Sequence, residues 1–301
     1  MTNAGPILCS ALALGFRRAA AGAMLLLSLS IHAGAAQAAA GFFEPLKERL
    51  IKDGFAPQYI NEVYRANPTP LFETVAGTMR MRESKMNYQQ FLKPAAMAQA
   101  RKFLRGHETV LNNTEKTYGV NKCVIVAILS VETRFGSYTG FTPTLDILST
   151  FAVMDRKGYR DVVWDLMSAA DRQRWGREGF DEKLIKRSEW AYQELCALLT
   201  WSRGRPDKAR AFKGSLMGAV GWPQFLPSSL VRHGVDGDGD GQVDLFQPTD
   251  AIVSVASYLT AYGWSEAKNR AQKEKVIYSY NHSQPYVDTI LEIADKLQYG
   301  Y

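Results

Sequence analysis

Cysteine and histidine are scarce in this 301-residue chain, and beyond its first forty residues it has no long hydrophobic run. The three cysteines are Cys9, Cys123 and Cys196. Cys123 and Cys196 lie in apolar helical contexts, so two buried thiols is the plainer reading. A Cys123–Cys196 disulfide stays open, because sequence does not supply their separation. His233 and His282 stand at no triad or metal-ligand spacing, so neither is assigned a role. No later segment reaches the length of a membrane span, and no period marks a solenoid repeat. Lys and Arg number 36 against 30 Asp and Glu, a formal charge of +6. They form no dense basic stripe, which argues against nucleic acid, while a mildly basic surface suits an anionic polymer.

What is present begins with a leader pattern. Arg17 and Arg18 precede an apolar run over 19–31, and small residues at 36–38 and 38–40 offer A-x-A cleavage sites. That order describes a secretory signal peptide over 1–38, cut near 38–40. Cys9 precedes the apolar run, so it is badly placed for a lipid anchor, and the arginine pair lacks the flanks of a folded-export signal. Loss of Arg17 and Arg18, with no acid, leaves a formal +4. The expectation is a soluble periplasmic protein.

From residue 41 the spacing is mainly helical. Phe43, Leu46, Leu50 and Ile51 mark a helix that stops at Gly54, and Tyr59, Ile60 and Val63 mark a short one before Pro68. Residues 67–92 read as irregular with short strands. One longer helix runs from Pro94 through Met97, Phe103, Val110 and Leu111, and another covers about 181–203. After Gly214, glycine and proline become frequent. Helical spacing returns at Ile252, Val255 and Leu259, and again at Val287, Ile290, Ile293 and Leu297. The reading is a mainly α protein with a loop-rich second half.

Two features carry chemistry. A helix after Gly119, capped by Asn121, runs through the apolar residues 123–131 to Glu132, with Gly136 as its stop. Apolar surroundings and a helix C-terminus both disfavour a charged carboxylate, so Glu132 is poised as a protonated general acid. A Glu132 that faces solvent or pairs with Arg134 stays open on spacing alone. The second feature is DGDGDGQVD at 236–244. Its acids Asp236, Asp238, Asp240 and Asp244 stand at calcium-loop positions 1, 3, 5 and 9. Gly241 takes position 6, and the Gln242 carbonyl is available at 7. Gln247 replaces the usual bidentate glutamate at position 12. Asp250 could reach the ion from further on, cap the helix beginning at Ala251, or do both. An unliganded Asp/Gly turn is the alternative.

SVETRFG at 130–136, GSLMGAVGWPQFLPSS at 214–229, the acidic loop followed by DAIVSVASYLTAYGW at 250–264, and YNHSQPY at 280–286 occur in one order. Together they resemble the membrane-bound lytic murein transglycosylase B family, glycoside hydrolase family 103 of the lysozyme-like superfamily. The resemblance covers nearly the whole mature chain. It implies a mainly α fold: a lysozyme-like catalytic core at about 108–145 and 211–301, a helical subdomain at about 41–107 and 146–210, minor β content and an EF-hand-like calcium loop.

It also implies cleavage of the MurNAc–GlcNAc β-1,4 bond of peptidoglycan without water, leaving 1,6-anhydroMurNAc ends. Glu132 would be the acid/base. Ser215, Gln224, Tyr280, Asn281 and Tyr286 would line the sugar cleft, and Asp236, Asp238, Asp240, the Gln242 carbonyl and Asp250 would hold a structural Ca2+. No cofactor is expected for the chemistry. Peptidoglycan strands are the expected partner of a monomer, and docking on a wall-synthesis or secretion complex stays open. The competing readings are a water-using muramidase of the same fold and a noncatalytic calcium-stabilised wall-binding protein. Trp222 and Trp264 read as packing before sugar stacking, Arg156 and Lys157 as a solvated helix end, and Ser228 and Ser229 as helix caps.

Overall fold

The computed structural model describes residues 41–81 and 87–300; the expected leader at 1–38 lies outside them. The described chain is mainly helical and alternates between two compact units. In chain order, the first passage carries α1 (Glu44–Lys52), α2 (Pro57–Tyr64) and α3 (Phe72–Arg80). The second carries α4 (Pro94–Gly106), α5 (Glu108–Tyr118) and α6 (Lys122–Thr133). After β1 (Thr142–Pro143) come α7 (Thr144–Ala152), α8 (Lys157–Asp165), α9 (Ala169–Trp175), α10 (Arg177–Trp201), α11 (Pro206–Ala211) and β2 (Lys213–Gly214). The last passage carries α12 (Pro227–His233), α13 (Pro248–Ala261), α14 (Arg270–Tyr280) and α15 (Gln284–Tyr299).

One unit is built from residues 41–81 and 142–218. Its long helix α10 packs on α7, and Phe180, Leu184, Leu195 and Leu198 of α10 are fully buried, while α3 packs on α7 and α8. β1 and β2 pair antiparallel, with Thr142 opposite Gly214. Residues 67–92 were expected to be irregular, yet α3 forms there. Val75, Ala76 and Met79 fall on one helical face and are buried, and no proline follows Pro70 until Pro94. Cys123 and Cys196 are both free thiols.

The other unit comprises the described residues 87–141 and 219–300. Residues 87–107, placed by sequence with the helical subdomain, lie in this unit instead. Its 3-10 turn Tyr88–Leu92 packs on α15, and α4 packs on α6. The single helix expected from Pro94 to Leu111 is broken at His107 (φ −122°, ψ 25°), which separates α4 from α5. At the centre is α6, in contact with α4, α5, α13 and α15 and buried at every position from Cys123 to Thr133. A helix enclosed on all sides has no use for a polar face, which accounts for its unbroken apolar run. Asn121 caps it as expected, its side chain accepting from Cys123 N at 2.8 Å.

Candidate active site

Glu132 occupies the last turn of α6, and the chain beyond it is unusually constrained. The expected stop at Gly136 comes two residues early: Arg134 caps the helix in the left-handed region (φ 49°, ψ 53°). Phe135 (φ 57°) and Gly136 (φ 76°) follow in the same sense. Left-handed backbone costs roughly 1–2 kcal/mol at each non-glycine residue, so neighbours must hold this turn in place. Thr133 Oγ1 donates to Trp222 O at 2.9 Å and accepts from Gly136 N at 3.0 Å. Phe135 stacks on Phe103 with centroids 4.4 Å apart. The Trp222 indole lies so close over Gly136 that a Cβ there would fall 2.1 Å from its ring atoms. Sequence reasoning weighed Trp222 as packing or as a sugar stacker and missed this contact, and it gave Thr133 no role.

The acid itself is enclosed, at 7% exposure. Its Oε1 accepts from Tyr286 Oη at 2.7 Å, while Oε2 is buried with no hydrogen-bond partner among the described residues. Burial pushes the Glu132 carboxyl up to about 8, against the Tyr286 hydrogen bond, which pulls the other way. Arg134 does not pair with it; its guanidinium donates to Gln90 Oε1 at 2.8 Å. The alternatives of a solvent-facing or Arg134-paired Glu132 are therefore overturned. A neutral carboxyl at pH 7, with Oε1 receiving a hydrogen bond, carries its own hydrogen on Oε2.

Tyr286 reaches Glu132 because α15 packs along α6. It is fully buried, and burial holds its hydroxyl well above the usual tyrosine range. Its ring packs edge-on to Tyr88 at 6.2 Å and lies nearly parallel to Tyr280 at 6.5 Å. Tyr280 Oη donates to Pro223 O at 2.5 Å. The next residue, Gln224, is 8% exposed and left-handed at φ 50°. Its Nε2 donates to Gly221 O at 2.9 Å and Thr139 O at 3.1 Å. Asn281 is buried at the end of α14. Thus Tyr286 bonds Glu132, Tyr280 lies parallel to Tyr286, and Gln224 follows the Pro223 carbonyl that Tyr280 holds. Ser215 belongs to the other unit, where its Oγ accepts from Met217 N at 3.2 Å. Nothing in the spacing signalled Tyr88.

In the acidic loop, carboxylate oxygens of Asp236, Asp238 and Asp250 lie within 4.8 Å of one another. Asp236 accepts from Gly239 N at 2.7 Å and Gly241 N at 2.8 Å. Asp250, 2% exposed, accepts from Gly237 N at 2.8 Å and Asp244 N at 2.7 Å. It is not a helix cap, because α13 already begins at Pro248 with Gln247 at the cap position. Asp240 turns its carboxylate to Gln242 N at 2.8 Å and stands outside the three-residue group. Burial raises the Asp250 pKa, and the charges of Asp238 and Asp236 raise it further. Hard oxygen donors with uncompensated negative charge fit a Ca2+-type ion.

Residues 38–275 match the model of the transglycosylase SLT domain family. The chain belongs to that family. Over 176 residues it is 33% identical to membrane-bound lytic murein transglycosylase B of Escherichia coli K12, a match covering 58% of this chain and 41% of that relative. The chain thus spans well under two thirds of that curated relative. Among solved structures, soluble lytic transglycosylase SltB1 of Pseudomonas aeruginosa superposes with TM-score 0.66 at 24% identity, covering 87% of this chain and 99% of that one. Escherichia coli lytic transglycosylase Slt35, solved with calcium, gives 0.64 at 22% identity, covering 88% and 93%. These lytic transglycosylases share the fold of this chain.

Proposed function

We propose that this chain is a peptidoglycan lytic transglycosylase that cuts the β-1,4 bond between MurNAc and GlcNAc and leaves a 1,6-anhydroMurNAc end. The observation that carries the reading is the setting of Glu132: buried, anchored through Oε1 by Tyr286, with Oε2 unengaged among the described residues, an enclosure that pushes its carboxyl up to about 8. Family membership and the word murein in the relative's name support the substrate class.

Most glycosidases divide the work between two carboxylates. Burial and the Tyr286 hydrogen bond act on the Glu132 carboxyl. One acid suffices when the sugar supplies the nucleophile. Oε2–H protonates the glycosidic oxygen as the C1–O bond breaks, and the N-acetyl group of MurNAc stabilises the cationic C1. Glu132, now ionised, takes the proton from the C6 hydroxyl of the same sugar, whose oxygen bonds to C1. Glu132 ends as it began, and the two products sum to the substrate with no water added. An intramolecular hydroxyl has a high effective concentration, which lets it outrun water. Tyr286 donates to Oε1 throughout and stabilises the transient carboxylate. Tyr280, Gln224 and Asn281 shape the surroundings in which the sugar is oriented. The test is mass spectrometry of muropeptides released from sacculi: ends lighter by one water than reducing ends support the proposal, and reducing ends alone would refute it.

Asp236, Asp238 and Asp250, with Asp240 and the Gln242 carbonyl as further donors, would hold a structural Ca2+, as the calcium in Slt35 suggests. The ion would pin the loop and neutralise its acids, and it takes no part in proton transfer. The leader pattern of the first forty residues supports export to the periplasm, where the glycan strands lie. Among the described residues no helix is long and apolar enough to cross a membrane.

A further inference from the structure

The segment after Glu132 displays two aromatic rings that nothing in the mechanism uses. Phe141 is 75% exposed and Tyr138 38% exposed, and their rings meet edge to face with centroids 5.5 Å apart. Exposed rings on a floppy loop would mean little. This loop is clamped along its length. Tyr138 N donates to Thr133 O at 3.0 Å, one residue from the acid. Gln224 Nε2 holds Thr139 O, Trp222 closes over Gly136, and Gly140 (φ 93°) turns the chain to present Phe141. The backbone therefore spends conformational free energy at Arg134, Phe135 and Gln224 to keep an apolar pair in water at a set register from Glu132.

We propose that Tyr138 and Phe141 form a saccharide-stacking subsite that binds a sugar ring of the glycan strand beside the one that reacts at Glu132. The proposal rests on the peptidoglycan reading above. A β-linked pyranose presents a face of axial C–H groups, weakly positive and apolar, which matches the negative face of an aromatic ring. Neither Tyr138 nor Phe141 brings a charge, so the sugar and not the carboxylates of a stem peptide is the matching part of the substrate. Aromatic side chains fixed in advance lose little entropy on binding, so the rigid loop converts contact area into affinity. The Tyr138 N–Thr133 O hydrogen bond ties the loop to the chain one residue from the acid, and this attachment favours the strand over a protein partner.

The test measures retention on insoluble peptidoglycan in an uncleaving background. Glu132→Gln is the parent, compared with Glu132→Gln/Phe141→Ala and Glu132→Gln/Tyr138→Ala. Each added alanine should weaken retention about fivefold, the equivalent of one aromatic contact. Phe141→Trp should restore it. Because both rings are exposed, melting temperatures should stay level, which separates lost binding from lost folding. Unchanged retention with either alanine, or no retention of the parent, overturns the subsite. The anhydro-end assay on the unsubstituted chain is read separately: its failure removes the transglycosylase reading and leaves retention to judge the rings.

Discussion

In the proposed mechanism Glu132 concentrates the chemistry in one titrating group, its carboxyl pushed up to about 8 from an ordinary 4.5. Only the protonated form can donate, so turnover should fall as pH rises through about 8. Tyr286→Phe removes the hydrogen bond that lowers the value, and its alkaline limb should therefore move to higher pH. Glu132→Gln, which cannot exchange a proton, should cut anhydro-end release by at least about 1000-fold. Stability carries the same signature. Between 4.5 and about 8 the folded chain binds more protons than the unfolded one, so its stability falls with rising pH across that window and levels off above it. The melting temperature of Glu132→Gln relative to the unsubstituted chain should accordingly climb from about pH 5 to about pH 8 and then flatten, by an amount worth a few kcal/mol. A constant difference across that range would contradict the buried neutral acid.

At the scale of elements, α6 and the turn behind it behave as one part. Its apolar run made the helix plain, and Asn121 marked its start. The ending was misplaced because a left-handed arginine and phenylalanine are tolerated only under contacts from far along the chain. Those contacts come from Trp222 and Phe103, neither of them a neighbour in sequence. Gly136→Ala should therefore destabilise by roughly 3 kcal/mol, from overpacking against the indole plus left-handed strain, read as a lower urea midpoint. Combining it with Trp222→Ala should recover part of that loss, because the clash is gone while the φ of 76° remains. The helix α3 teaches the converse. Its buried Val75, Ala76 and Met79 stand at helical spacing, although Pro68 and Pro70 precede the helix and Gly77 lies inside it.

At the scale of the molecule, the acidic loop ties α12 to α13 through Asp250, whose two oxygens hold the amides of Gly237 and Asp244. A loop built around clustered like charges should gain stability from a divalent cation in proportion to its occupancy. EDTA should lower the melting transition and added Ca2+ should restore it, by about 3 kcal/mol at a hundredfold excess over Kd. Asp250→Ala should abolish the response to Ca2+. A transition indifferent to both chelator and ion would remove calcium from this chain.

Sequence by itself determined the chemistry on offer: a single acid closing an apolar helix, alternating carboxylates around an obligatory glycine, and a motif order that one family shares. Those are local facts, carried by residue type and short spacing. The tertiary structure alone decided which state the acid adopts. Protonation depends on what surrounds Oε1 and Oε2, and those surroundings are assembled by α15 and its Tyr286, 154 positions away along the chain. It also decided that Asp250 turns inward to the loop and that Trp222 guards Gly136, because burial and hydrogen bonding are properties of packed neighbours and not of the order in which residues are joined.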